Sequence, residues 1–141
     1  MNPIRGGNTE WFPVLVVDDC RMTRRLLSMY LRDDGFDVIL AENGIEALEK
    51  LGRDHCGLVI TDLNMPQMDG VEFTRELRNH PLFQHIPVIM LTTQGEDRER
   101  QEALEAGAAV FLTKPISQEA LRREIDQVWP RENRNQHPSP V

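Results

Sequence analysis

Five residues of the chain place a chemically capable side chain directly after a short apolar run. Val14-Leu15-Val16-Val17 leads into Asp18 and Asp19, Leu58-Val59-Ile60-Thr61 into Asp62, Val88 to Leu91 into Thr92, and Ala109 to Thr113 into Lys114. If these runs are neighbouring parallel strands, their polar ends meet on one edge, where open α/β sheets bind ligands. Three carboxylates at such an edge repel. At a separation of roughly 4 Å and an effective dielectric near 20, each pair costs roughly 4 kcal/mol. Either protons stay bound or a hard cation settles among the oxygens. Mg²⁺ suits the set, because it takes few carboxylates and keeps waters or phosphate oxygens as its remaining ligands. A carboxylate beside such a metal can attack phosphorus to give an acyl phosphate. Lys114 adds a mobile positive charge, and the Thr92 hydroxyl can donate to a phosphoryl oxygen.

The elements that must position these groups are legible from pattern. Five apolar segments (Val14 to Val17, Phe36 to Ala41, Leu58 to Thr61, Val88 to Thr92, Ala109 to Thr113) alternate with helix-like stretches. Most are continuously apolar, as expected of parallel strands covered on both faces. Alternation implies βαβ units with right-handed crossovers. In the first helix Met22, Leu26, Met29 and Leu31 are expected near one face, with Gly35 as the stop. In the second, Asn43 is the expected cap, Glu46 its partner, and Leu48 and Leu51 point inward. The third opens at Asp69-Gly70 and presents Phe73 and Leu77. The fifth opens at Ser117 and presents Leu121, Ile125 and Val128. The fourth, about Glu96 to Ala106, is almost wholly polar, with Ala103 and Leu104 as its evident anchors, so it is expected to be loosely held.

One domain accounts for the 141 residues. Residues 1–12 read as an N-terminal extension and 13–129 as the domain. Residues 130–141, polar and proline-containing, read as a disordered tail. The net charge of −7 argues against binding nucleic acid through a general phosphate-attracting surface. No apolar run approaches a membrane span, and Met1 to Glu10 lacks the apolar stretch of a signal peptide. Cys20 and Cys56 offer neither a disulfide framework nor a ligand pattern. A cytoplasmic protein with no membrane partner is the expectation.

Taken together, Val16-Val17-Asp18-Asp19, the stretch Asp62-Leu63-Asn64-Met65-Pro66-Gln67-Met68-Asp69-Gly70, Met90-Leu91-Thr92-Thr93 and Lys114-Pro115 resemble the receiver domain of bacterial two-component response regulators. The resemblance runs from about Pro13 to Val128. It implies a doubly wound five-stranded parallel sheet of order 2-1-3-4-5, the flavodoxin-like (CheY-like) receiver fold. It also implies roles: Asp62 as phosphoacceptor, Asp19 as a direct Mg²⁺ ligand, Asp18 acting mainly through water, and Asn64 offering its backbone carbonyl. Thr92 would be the switch hydroxyl, and Lys114 the partner of the phosphoryl oxygens, with its bond to Pro115 cis. Phe111 stands at the family's aromatic switch position, frequently Tyr. Lacking a hydroxyl, it would report through packing alone.

The implied partners are a histidine kinase or histidine phosphotransfer protein as donor and a downstream protein target. Contact with the target is expected through the fourth helix, fifth strand and fifth helix. No chemistry beyond self-phosphorylation and self-dephosphorylation on Asp62 is expected; the polar ending favours a stand-alone receiver, and a receiver cut from a longer hybrid protein also fits. Thr93, where the family usually has a smaller residue, is expected to crowd the site. Asn64 and Gln94 flank the line of attack and can orient water. Cys20 reads as an inert thiol, and Arg24-Arg25 as a solvated face or the face that meets the donor. Two alternatives remain open. One is a receiver-like adaptor that works without phosphate. The other is an aspartate-nucleophile phosphohydrolase, disfavoured because Asn64, not Asp, follows Asp62 by two residues.

Overall fold

A computed structural model of the chain describes residues 10–138. The elements follow strictly alternating order: β1 (Val14–Val17), α1 (Arg21–Asp33), β2 (Val38–Ala41), α2 (Gly44–Arg53), β3 (Leu58–Asp62), α3 (Gly70–Arg78), β4 (Val88–Thr92), α4 (Asp97–Ala106), β5 (Val110–Thr113) and α5 (Gln118–Val128). All strand pairs are parallel, in the order β2-β1-β3-β4-β5. This is the expected flavodoxin-like arrangement.

The continuously apolar strands are explained by two separate cores. Leu15, Val17, Val59 and Met90 face one side, packed with Ala47 and Leu51 of α2, Phe73 and Leu77 of α3, and Ala103 of α4. The alternate residues Val14, Val16, Ile60 and Leu91 face the other, against Leu27 and Leu31 of α1 and Leu121 and Ile125 of α5. Successive strand side chains point to opposite faces, so a strand roofed on both sides can carry no polar position in its middle.

The helix starts follow the expected caps. Asn43 accepts from the Glu46 amide at 2.8 Å, and Ser117 from the Ala120 amide at 3.0 Å. Asp69 and Glu72 form a reciprocal capping box on α3. Glu46 does not complete such a box; its carboxylate takes the amide of Glu42 instead. Gly107, at φ 114, closes α4 in the left-handed region that favours glycine.

Three expectations are corrected. On α1 the inward residues are Leu27, Ser28 and Leu31, whereas Met22 (80% accessible), Leu26 and Met29 face outward. At about 100° per residue, positions 22, 26 and 29 form one stripe and 27 and 31 a second, nearly opposite it. The sequence therefore held two apolar stripes, and only one meets the sheet. On α4 the buried pair is Ala103 and Ala106, with Leu104 exposed.

The segment from 130 onward, expected to be a disordered tail, is ordered over its described part. A 3-10 turn (Arg131–Asn133) leads to Arg134, whose side chain is only 2% accessible. Its guanidinium lies 4.8 Å from the ring centroids of both Trp11 and Phe36 and 5.7 Å from that of Trp129. It donates to the Trp129 carbonyl at 2.9 Å and to Asp126 at 2.7 Å, while the Arg134 carbonyl accepts from the Phe12 amide at 2.7 Å. The packed unit thus extends past 13–129 at both ends. Residues 1–9 of the N-terminal extension and 139–141 of the tail lie outside the described residues.

A buried cation caged by three rings and two acceptors should carry considerable stability. Arg134→Ala is expected to lower the unfolding free energy by about 2–4 kcal/mol. Arg134→Lys, which keeps the charge but not the planar stack, should lose less. Urea unfolding measures both. An alanine variant within about 0.5 kcal/mol of wild type would show that the cage contributes nothing.

Candidate functional site

Parallel pairing brings the carboxyl ends of the strands to one rim. Val17 of β1 is opposite Thr61 of β3, Asp62 opposite Leu91 of β4, and Thr92 opposite Thr113 of β5. Asp18, Asp62, Thr92 and Lys114 therefore follow one another across the sheet. Asp18, Asp19 and Asp62 each bring a carboxylate oxygen within 4.8 Å of the other two. The Lys114 ammonium reaches over them, 2.9 Å from Asp18 Oδ2 and 3.1 Å from Asp62 Oδ1. Its backbone amide donates to the Thr92 carbonyl, and the Lys114–Pro115 peptide is cis, as expected.

Asp18 is held at every polar atom. Its amide donates to Ala41 O, Oδ1 accepts from the Cys20 amide at 2.8 Å, Oδ2 takes Lys114, and its carbonyl accepts from Arg24 Nη1 at 2.6 Å. Asp19, by contrast, is exposed. Asp62 is buried at the end of β3, in a well-fixed turn: Leu63 N donates to Leu91 O, and Gly70 N to Leu63 O. Gly70 is required here, because a Cβ on it would lie 2.4 Å from the Asp62 carbonyl oxygen.

Among the described residues, charge at this rim is unbalanced: three carboxylates face the Lys114 ammonium, and the Arg24 guanidinium beside them is shared with Glu42. Burial first, and then the negative charge of Asp18, push the Asp62 carboxyl above its usual range, and Lys114 offsets this only in part. Burial works against the charged form of Lys114. The bonds and charges of Asp18 and Asp62 outweigh it, so the ammonium is held above its ordinary value. Lys114 thus gains from the arrangement and Asp62 does not. Oxygen-only donors, an uncompensated negative charge and an exposed approach at Asp19 fit a hard divalent cation such as Mg²⁺. Asp19 and Asp62 are the carboxylates best able to hold it. Asp18, already occupied at both oxygens by protein donors, is suited to a role through water.

Thr92 is fully buried, its Oγ1 accepting from the Gln94 amide at 3.3 Å. Thr93 is exposed and lines a groove of about 300 Å³ together with Thr23, Leu26, Lys114 and Ile116. Phe111 is buried under the guanidinium of Arg100, 5.6 Å from the ring centroid. Asn64 is exposed in the loop after Asp62. Cys20 is exposed, and hydrogen bonds from Thr23 and Met22 lower its thiol below the ordinary value against the opposing charge of Asp18. Arg24 departs from its expected role as a solvated or donor-facing residue. It turns inward to Asp18 O and reaches Glu42 Oε1 at 3.4 Å, while Arg25 stays exposed. An arginine in the first turn of the helix after an acidic pair is the available signal, but helical spacing alone does not distinguish it from its neighbour.

The response regulator receiver domain model matches residues 14–126. This chain therefore belongs to the response regulator receiver family. Transcriptional regulatory protein SrrA of Staphylococcus aureus (strain NCTC 8325 / PS 47) is 40% identical over 104 residues, covering 74% of this chain and 42% of that protein. The chain thus spans less than half the length of that curated relative. Among solved structures, the chemotaxis protein CheY4 of Vibrio cholerae superimposes with a TM-score of 0.80 at 36% identity, covering 84% of this chain and 98% of CheY4. The signal receiver domain of a signal transduction histidine kinase from Syntrophus aciditrophicus gives a TM-score of 0.80 at 30% identity, with 91% and 97% coverage.

Because the fold raises the Asp62 carboxyl above its unfolded value, its contribution to stability is fully present below the usual carboxylate range. That contribution is lost as pH rises through the folded value. Ionised Asp62 therefore costs stability at neutral pH. Asp62→Asn should unfold at higher temperature than wild type at pH 7 without divalent cations. The gain should shrink toward pH 4. A variant less stable than wild type at pH 7 would contradict the imbalance.

Proposed function

We propose that this protein receives a phosphoryl group from a phosphohistidine donor onto Asp62 and uses it to alter its binding to a downstream protein. The observation that carries the reading is the Lys114 ammonium bridging Asp18 and Asp62 beside the exposed Asp19. Bound Mg²⁺, held by Asp19, Asp62 and the Asn64 carbonyl with Asp18 acting through water, would neutralise charge on the incoming oxygens. A carboxylate oxygen of Asp62 attacks phosphorus, the acyl P–O bond forms, and the donor's P–N bond breaks with its electron pair returning to imidazole. Deprotonated Asp62 is needed for this, and Lys114 favours that form. The Thr92 hydroxyl donates to a phosphoryl oxygen, and Lys114 pairs with another.

The added charge of nearly two units is read at the rim, because Thr92 and Lys114 sit on β4 and at the end of β5. Phe111 and α4 lie next to them, which supports output through the face of α4, β5 and α5. Phe111 has no hydroxyl, so readout there depends on packing. A histidine kinase or histidine phosphotransfer protein is the class of donor. Asn64 and Gln94 flank the site with amides that can orient water, so the acyl phosphate is not unusually long-lived.

Incubation with acetyl phosphate and Mg²⁺ followed by intact-mass measurement tests the core of this. Wild type should gain one phosphoryl group and Asp62→Asn none. A gain by both would place the acceptor elsewhere, and no gain by wild type would favour an adaptor that works without phosphate.

Thr93 lines the groove beside Lys114, which supports the reading that its bulk restricts access to the site. Thr93→Ala should therefore lose its phosphoryl group about two- to tenfold faster, a barrier change of about 0.4–1.4 kcal/mol. Identical decay rates for the two proteins would end that idea.

A further inference from the structure

Arg24 is the one basic side chain of α1 that turns back toward the acidic rim. Its own amide donates to Cys20 O at 3.0 Å, fixing it in the first turn of the helix. Its guanidinium donates to Asp18 O at 2.6 Å and reaches the Glu42 carboxylate at 3.4 Å. The side chain is only 12% accessible, against 66% for Glu42. It therefore ties the start of α1 to the ends of β1 and β2.

The acceptor is informative. The Asp18 carbonyl belongs to the planar peptide that leads into Asp19, so holding that oxygen fixes the plane from which the Asp19 side chain departs. The other polar atoms of Asp18 are held independently by Ala41, Cys20 and Lys114. Asp19 is exposed, so its backbone is what the fold controls. We propose that Arg24 is a positioning residue for the divalent-cation site, acting through the Asp18–Asp19 peptide to aim Asp19.

The inference rests on the divalent-cation reading above, and electrostatics gives it a test of sign. Arg24 is a positive charge beside a site for a cation. Removing it should tighten cation binding if charge alone matters, and weaken it if position matters. Mg²⁺ binding is measured by isothermal titration calorimetry on wild type, Arg24→Gln and Asp19→Asn, with thermal unfolding in the absence of Mg²⁺ as the check of folding. Arg24→Met gives the same reading should the glutamine variant fail to unfold cooperatively.

Wild type should bind, Asp19→Asn should lose binding, and Arg24→Gln should bind about tenfold more weakly while remaining folded. Unchanged or tighter binding by the Arg24 variant, with wild type binding normally, overturns the positioning role and leaves the acidic site intact. Failure of wild type itself to bind Mg²⁺ overturns both.

Discussion

The constraint on which the rest of this structure depends is electrostatic: among the described residues, three carboxylates share a rim with the Lys114 ammonium. Lys114 is placed where it can lie against two of them at once, 2.9 Å from Asp18 and 3.1 Å from Asp62. That placement requires strands distant in sequence to be neighbours in space. It also requires the chain to run the same way in each, so that every polar end emerges on one side. A parallel sheet with helical crossovers meets both demands. The continuously apolar strands follow, because such a sheet must be covered on both faces. Parallel architecture is here the means of gathering like charges that would otherwise stay apart.

The two sides of the rim are held with unequal firmness. Around Asp18 and Asp62 the backbone is tied by Ala41, Cys20, Arg24, Leu91 and the close approach of Gly70, so the floor of the site is well defined. On the side of Thr92 and Phe111 the roof is α4, whose buried residues are only Ala103 and Ala106. Its C-terminal end is pinned by Arg78 donating to the Gly107 carbonyl, and its N-terminal half carries Arg100 over the Phe111 ring. A helix that buries two alanines is held by far less apolar area than α3, which buries Phe73 and Leu77. A firmly tied floor beside a lightly held roof is the arrangement that the proposed switching would use.

The acidic rim was readable in the sequence because strand ends in parallel sheets are marked by an abrupt change from apolar to polar residues. Asp18, Asp19, Asp62, Thr92 and Lys114 all carry that mark, and the structure brings them to one edge. Caps were readable for the same local reason, as Asn43, Asp69 and Ser117 show. What escaped depended on tertiary contact. Two apolar stripes on α1 satisfy the same periodicity, and only the sheet decides that Leu27 and Leu31 go inward. Arg24 and Arg25 look alike in sequence, and only the position of the Asp18 carbonyl separates them. Arg134 sits in a polar stretch whose composition signals solvent exposure, yet Trp11, Phe36 and Trp129 provide it a place from three separate parts of the chain.

That last arrangement makes the domain nearly a closed loop. The Phe12 amide and the Arg134 carbonyl, 2.7 Å apart, join the approach to the first strand to the turn beyond the last helix, at the pole where the strands begin. The carboxylates lie at the opposite pole, where the strands end. A short peptide between the two segments would complete the ring, and new ends could then be opened in an exposed loop elsewhere. The folded unit between these two segments is in this sense suited to circular permutation, with its acidic face left undisturbed by the splice.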